Sequence, residues 1–233
     1  MKIVAIITAR GGSKRIPRKN IKLFLGKPII VYSIEAALQS GVFDEVMVST
    51  DDNEIAEVAQ QYGAIVPFMR SAKTSDDHAT SADVLEEVIL SYRDRGEDFD
   101  TFCCIYPTAP FVTPEKLRSA QDLFLETDAN SVFTVTQFSY PPQRAVVMRD
   151  KMVVFQYPEY ANTRSQDLEP IYHDCGQFYF MKTSALLKYH TLVPPKAVPF
   201  IVSDAEVQDI DNESDWLIAE AKYRVLQDAR EKM

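Results

Sequence analysis

Seven basic residues and no acidic one lie between Arg10 and Lys27, in a chain whose formal net charge is -9. The cluster follows an apolar run, Lys2 to Ala9, and opens with Arg10-Gly11-Gly12-Ser13-Lys14 before Arg15, Arg18, Lys19, Lys22 and Lys27 complete it. Two adjacent glycines let a backbone turn tightly and bring its N–H groups against a ligand with no Cβ in the way. A local reversal of sign suits a compact polyanion, and a nucleoside triphosphate fits. The common phosphate fingerprints, GxGxxG and GxxxxGK followed by Ser or Thr, are absent, so charge and glycine alone leave a solvated basic loop open. The second chemical feature is Val207-Gln208-Asp209-Ile210-Asp211. Residues i and i+2 of an extended backbone share a face, so Asp209 and Asp211 can hold one Mg²⁺ together. Asp-x-Asp is also common at helix caps, and Asp211 as the cap of a last helix stays open.

These groups need a scaffold to bring them together. Lys2 to Ala9 reads as a strand buried on both faces. Pro28 stands at the first position of a helix whose apolar spacing runs from Ile29 to Leu38, with Gly41 as its stop. Glu45 to Thr50 is a second strand. Asp51-Asp52-Asn53 caps a helix from about Glu54 to Tyr62, Gly63 ends it, and Ala64 to Met69 is a third strand. This β-α-β-α-β rhythm predicts a parallel doubly wound sheet, in which ligands collect at the carboxyl ends of strands, where Gly11, Asp51 and Arg70 fall. A polar loop over 70–84 leads into a helix from about Ala82 to Arg95, with Ser81 as its cap. Thr101 to Tyr106 is a strand with Cys103 and Cys104 in the core, Pro114 to about Glu126 a helix, and Ser131 to Thr136 a strand. Between Gln137 and Asp174 the rhythm fails: Pro141-Pro142, Met152 to Phe155 and Pro158 suggest hairpin strands in an insertion too long for an idle loop. Strand character returns over Tyr172 to Phe180 and again at Val198 to Val202. The last helix, from about Glu213 to Glu231, carries Trp216, Leu217, Ala221, Val225 and Leu226 as its expected buried stripe.

Composition bounds the reading. The 46% apolar fraction supports a packed core, and no run approaches the ~18 apolar residues of a membrane span. Three cysteines without CxxC spacing form no disulfide framework, and no secretory leader is expected, so a reduced cytoplasm is the expected compartment. The acidic balance argues against nucleic acid as a partner.

ARGGSKRIPRKN resembles the N-terminal signature, ARGGSKgiPrKN, of the CMP-sialic acid synthetase family, the cytidylyltransferases that activate nine-carbon sialic-type acids. The resemblance covers nearly the whole chain. It implies an α/β, Rossmann-like, doubly wound and mostly parallel sheet of nucleotidyltransferase type, built from residues 1–136 and 175–233, with a small β-rich dimerisation insertion over 137–174. It implies that Gly11 and Gly12 shape a loop around the triphosphate of CTP, that Arg10, Ser13 and Lys19 hold phosphates, and that Asn20 touches cytosine. Arg70 to Ser81 is similar to a family segment, R-x6-D-x-A-x-S, that grips the nucleoside. Arg70 then meets the base, Asp77 shapes the loop, and Ala79 and Ser81 meet base and ribose. Tyr106-Pro107-Thr108-Ala109-Pro110 resembles LQPTSP beside the nucleotide and metal. Thr108 is retained there, while Tyr106, Ala109 and Val112 depart from the pattern. Asp209 and Asp211 resemble the Mg²⁺ ligands of a DIDxxxD string, with Asp215 behind them.

The sugar end rests on three strings. Arg144 and Arg164, the second within NTRSQDLE, resemble positions that meet the sugar acid, and an arginine fork suits a carboxylate; two exposed hairpin arginines are the alternative. Sialic acid enzymes carry R-x-N-G-A-I-Y-I where this chain has His173 to Phe180, so His173 stands in place of an arginine and Cys175 in place of an asparagine, while Gly176 and Tyr179 are retained; His173 and Gln177 are the sugar-binding candidates here. YHD-x-GQFYF, IYPTAP and NTRSQDLE resemble the pseudaminic acid branch. The implied reaction moves CMP from CTP to the anomeric hydroxyl of a nonulosonic acid and releases pyrophosphate, in a homodimer with shared active sites. N-acetylneuraminic or legionaminic acid as the sugar, or a non-catalytic nucleotide-binding regulator, are the alternatives.

Overall fold

A computed structural model gives the fold of residues 1–231. Strand β1 (Ile3–Thr8) is the middle of the design. Its alternate side chains serve two layers: Ala5 and Ile7 enter one apolar cluster, Val4 and Ile6 another. That double burial explains why the sequence reads as a continuous apolar run rather than an alternating one. After the basic loop, the two-residue arms β2 (Leu23–Phe24) and β3 (Lys27–Pro28) pair antiparallel and feed α1 (Ile29–Ser40), which ends at Gly41 with φ 68°. Pro28 is the residue before the helix, paired with Leu23, rather than the first helical residue. β4 (Glu45–Ser49) follows, and Asp52 caps α2 (Asn53–Gln61) by accepting from the Ile55 N–H at 3.0 Å.

The expected third strand, Ala64 to Met69, is not a strand. The backbone joins β4 through a single parallel bridge, Met47 to Ile65. The next rung would need an N–H from Pro67, which has none, so the ladder stops there. The helix α3 (Ser81–Asp94) is capped by Thr80, not Ser81: Thr80 and Asp83 form a reciprocal capping box. Ser81 is thereby the first helical residue, with its hydroxyl free for another partner.

The remaining elements are β5 (Thr101–Ile105), α4 (Pro114–Glu126), β6 (Ser131–Gln137), the hairpin β7 (Val146–Arg149) and β8 (Met152–Phe155), β9 (Tyr172–Lys182), α5 (Thr183–Tyr189), β10 (Ala197–Ile201) and α6 (Glu213–Glu231). The main sheet has six strands in the order β10-β6-β9-β5-β1-β4. Every pairing is parallel except those of β9, which runs antiparallel to both β5 and β6. The fold is α/β with a mostly parallel sheet, as the sequence implies. Cys103 faces the α1–α4 layer and Cys104 the α3–α5 layer, and burial pushes both thiols up, Cys104 to about 12.

Helix α6 begins and ends as expected, but its buried stripe differs. Trp216 and Ala219 are buried, and Tyr223 and Leu226 pack beside them, whereas Leu217 and Val225 are 66% and 67% exposed and Ala221 is also exposed. Two stripes with near-helical spacing compete on this helix. The one carrying the aromatic rings wins, because Phe24 offers edge-to-face partners to Trp216 and Tyr223 at 5.7 and 5.6 Å.

Candidate active site

At the carboxyl end of β1 the chain turns onto the carboxylates that end β4. The Gly11 N–H donates to Asp51 Oδ1 at 2.8 Å. A Cβ on Gly11 would sit 2.7 Å from Asp52 Oδ2, so only glycine lets the loop lie this close. Arg18, in the left-handed region at φ 55°, donates to Asp52 Oδ1 at 2.9 Å and also pairs with Glu54. This guanidinium holds the Asp52 carboxyl below the usual range. Arg10 donates to Asp77 Oδ1 at 2.9 Å, and Lys14 pairs with the other Asp77 oxygen. Asn20 is buried and donates through Nδ2 to the Arg10 carbonyl at 2.9 Å, which fixes where the loop begins.

The Asp209–Asp211 segment meets this loop from the far end of the sequence. Ile210 is 1% exposed and shares a buried cluster with Ile16 of the loop, with Phe24 and with Trp216. Its two neighbours, Asp209 and Asp211, both lie near enough to Lys19 to act on its charge. Lys19 Nζ donates to the Ile210 carbonyl at 2.6 Å, and Arg15 Nη2 lies 2.7 Å from Asp211 Oδ1. Burial pushes the Lys19 ammonium below its ordinary value, while Asp211 and Asp209 pull it back up. Asp211 does not cap α6: Asn212 does, accepting from the Asp215 N–H at 3.1 Å, while Asp215 accepts from the N–H groups of Asp211 and Asn212. The pair also lies between a single 3-10 turn (Asp204–Glu206) and α6, not at a strand end.

Two carboxylates of hard oxygen donors fit a Mg²⁺ ion completed by water and phosphate oxygens. Among the described residues no group of three or more His, Cys, Asp or Glu side chains forms a self-sufficient metal cage.

Three adjoining hollows make one cleft. A basic one of about 400 Å³ is lined by Arg10, Ser13, Lys19 and Asn20. One of about 290 Å³ holds Arg70, Ala79 and Ser81 and shares Arg10 and Asp77 with the first. A third, of about 460 Å³, is lined by Tyr106, Phe111, His173, Gln177, Tyr179 and Asp209, and shares Thr108 with the first. A smaller hollow of about 160 Å³ between α1 and α6 shares Phe111 with the third and holds none of the candidate site residues.

In the second hollow, Arg70 is nearly buried and donates to the Ser49 hydroxyl at 3.1 Å and the Ser49 carbonyl at 2.6 Å. The Ser81 hydroxyl lies 3.1 Å from the Tyr106 hydroxyl. In the third, Tyr179 donates to the Asp174 carboxylate at 2.7 Å, and burial raises its phenol well above the ordinary value. His173 packs 4.6 Å from the Phe138 ring, and its Nδ1 lies 2.9 Å from the Asp174 carbonyl.

The chain thus brings together Arg10, Ser13, Lys19 and Asn20 with Arg70, Ala79 and Ser81, and these with Thr108, His173, Gln177 and Asp209. It keeps Arg144 and Arg164 out of the cleft lining. Both are exposed on the insertion, Arg144 3.4 Å from the Ser165 hydroxyl and Arg164 paired with Asp167 at 2.7 Å. Sequence reasoning missed the Arg15–Asp211 pair and the Asp51–Asp52 anchor of the loop. A signal for the second existed: the carboxylates that end β4 are the natural counterions of a basic loop leaving the neighbouring strand.

A sheet of this topology with a triphosphate-sized basic loop facing paired carboxylates defines a nucleotidyltransferase. Residues 4–198 match the family model described as cytidylyltransferase, and the chain belongs to that family. It is an enzyme of the CMP-sugar synthetase kind. The chain is 44% identical over 226 residues to a pseudaminic acid cytidylyltransferase of Campylobacter jejuni, covering 97% of each. It is 34% identical to a CMP-N,N'-diacetyllegionaminic acid synthase of Legionella pneumophila, covering 98% of this chain and 99% of the other. A solved CMP:2-keto-3-deoxy-manno-octonic acid synthetase complexed with CTP shares the fold, with a TM-score of 0.70 at 20% identity over 98% of this chain and all of that one.

Proposed function

We propose that this enzyme transfers CMP from CTP to the anomeric hydroxyl of pseudaminic acid. The observation that carries the reading is the meeting of the basic loop with the Asp209–Asp211 segment through Lys19 and the Ile210 carbonyl. The choice of sugar is supported by the 44% identical relative and by His173 and Gln177 in the wall of the third hollow. The sugar hydroxyl attacks the α-phosphorus, the new O–P bond forms as the bond to pyrophosphate breaks, and the hydroxyl proton leaves to solvent. Arg10, Ser13 and Lys19 hold and orient the triphosphate; Asn20, Arg70, Ala79 and Ser81 position the nucleoside. Asp209 and Asp211 would hold Mg²⁺, which supplies charge neutralisation on the phosphates. Arg15, paired with Asp211 at 2.7 Å and part of the basic hollow's lining, is a further cation for the phosphates.

A homodimer with shared sites belongs to the same reading. The hairpin exposes Met148 at 80%, Met152 at 69% and Val153 at 64%, more apolar surface than a two-stranded ribbon leaves to water without a partner. Residues 137–174 then act as the dimerisation subdomain and carry Arg144 and Arg164 toward a partner's sugar carboxylate. The buried, unreactive thiols of Cys103 and Cys104 agree with a cytoplasmic enzyme. Among the described residues, no helix is long and apolar enough to cross a membrane.

The test is a direct competition of pseudaminic acid with N-acetylneuraminic acid at equal concentration with CTP and Mg²⁺, reading products by mass. CMP-pseudaminic acid is the expected product. Preferential formation of CMP-N-acetylneuraminic acid would overturn the sugar assignment and leave cytidylyl transfer standing.

A further inference from the structure

Gln177 is 3% exposed and lines the sugar-facing hollow. Its Nε2 donates to the Glu206 carbonyl at 2.6 Å, which fixes the orientation of the amide, because the reverse setting would press two carbonyl oxygens together. The other end, Oε1, is buried and has no hydrogen-bond partner among the described residues. A buried acceptor without a donor is costly, and a folded protein keeps one where something outside the chain supplies the donor. The nearby polar groups do not compete for that role. The Tyr179 hydroxyl is spent on Asp174, and Asp174 also accepts from the Gly176 N–H.

We infer that Gln177 is a specificity-determining residue whose Oε1 accepts a hydrogen bond from an acylamino N–H of the sugar acid; this rests on the function proposed above. The group must be a donor, because Oε1 can only accept. An amide N–H suits the place better than a hydroxyl. The wall here includes Ala109, Phe111 and the rings of Tyr106 and Tyr179, which can cover the acyl methyl that an acylamino group carries and a hydroxyl does not. His173 adds to the same preference. Because a carbonyl can only accept, the Nδ1 facing Asp174 carries a proton, and in the tautomer that results Nε2 is left as a second acceptor in the same wall. Two acceptors in one wall match a sugar acid with two acylamino groups, the substitution that the name of the Legionella relative prints. The same amide also tethers Glu206, at the start of the segment that carries Asp209 and Asp211, so sugar recognition and placement of those carboxylates share one side chain.

The experiment crosses three proteins with three ligands. The proteins are wild type, Gln177→Met and Gln177→Glu. The ligands are pseudaminic acid (or diacetyllegionaminic acid, if that is the acid turned over) and its two analogues methylated on one acetamido nitrogen or the other. In wild type, one of the two methylations is expected to lower kcat/KM for the sugar by about 10-fold or more, with KM for CTP unchanged. Gln177→Met, which lacks both amide ends, is expected to show that loss already with the parent acid and little more with the analogue. Gln177→Glu keeps an acceptor but loses the donor to the Glu206 carbonyl, so overall turnover is expected to fall with that tether while the sensitivity of kcat/KM to methylation remains. Wild-type turnover of the parent acid tests the proposed function separately. Equal loss on methylation in wild type and Gln177→Met, or no loss with either analogue in wild type, would overturn the role of Gln177. The wild-type arm decides even if the variants fold poorly.

Discussion

The two ends of the cleft are built on opposite plans. At the nucleotide end the cations are already held by carboxylates of the same chain: Arg10 and Lys14 by Asp77, Arg15 by Asp211, Arg18 by Asp52 and Glu54. At the sugar end a buried amide oxygen lacks a donor among the described residues, the wall mixes aromatic rings with short polar side chains, and the two candidate arginines stand apart on an exposed insertion. A site for a polyanion must gather like charges before the ligand arrives, and their mutual repulsion is relieved by internal counterions. A site for a neutral substituent needs only one unpaired dipole, which costs about 1–3 kcal/mol and is tolerable in a domain of this size. On the proposed reading the nucleotide end is complete in the single chain, and the sugar end awaits a partner's arginines.

Four variants sharpen this contrast or break it. The largest effect belongs to Asp209→Asn and Asp211→Asn, which remove the charge that would hold the metal. A loss of about 100-fold or more in kcat is expected, since metal stabilisation is worth several kcal/mol. The measurement is pyrophosphate release across a Mg²⁺ titration. A variant that changes only the KM for sugar would assign that carboxylate to the other end of the cleft. Lys19→Ala comes next. Loss of a charge-assisted contact is expected to cost on the order of 10- to 150-fold in kcat/KM for CTP, with the sugar KM unmoved in steady-state kinetics. Equal damage to both substrates would show that Lys19 acts through the Ile210 carbonyl, as a strut between the two ends.

The smallest effect is Asp52→Asn, which preserves the cap of α2 and removes the ion pair with Arg18. The Asp52 carboxyl is held below its ordinary value by Arg18. The pair therefore stabilises the fold above the unfolded carboxylate value of about 4 and loses that contribution as pH falls through the depressed folded value. With both groups partly solvated, no more than about 1 kcal/mol is expected. Melting temperatures of the two proteins should differ at pH 7 and draw together as the pH is lowered below about 4. A gap that persists in acid would trace the loss to the cap and not to the charge.

Much of this was legible in the chain itself, and the exceptions have physical causes. Helix α4 and helix α6 begin and end where Pro114, Glu126, Glu213 and Glu231 predict, because local capping and periodicity decide them. The loop from Arg10 to Asn20 and the Asp209–Asp211 pair, far apart in sequence, do meet. Ala64 to Met69 failed as a strand because one proline decides a ladder that propensity alone suggests. The cap of α3 went to Thr80 because Asp83 is in reach to answer it and Ser81 has no such partner. The α6 stripe was misplaced because aromatic partners from Phe24 select the face, and sequence spacing does not contain them. The orphan oxygen of Gln177 is invisible in sequence for the same reason: it depends on the Glu206 carbonyl from a distant turn.

The antiparallel course of β9 has one further consequence. Gln137 and Tyr172 face each other across the same rung of the β6–β9 ladder, so the chain leaves and re-enters the sheet through a gate about 5 Å wide. Whatever lies between them can be lengthened, shortened or exchanged at an entropic cost that grows only with the logarithm of its length, and the strands that carry the phosphate loop do not move. A lineage built this way can trade one surface module for another, while the machinery for making the CMP bond is inherited intact.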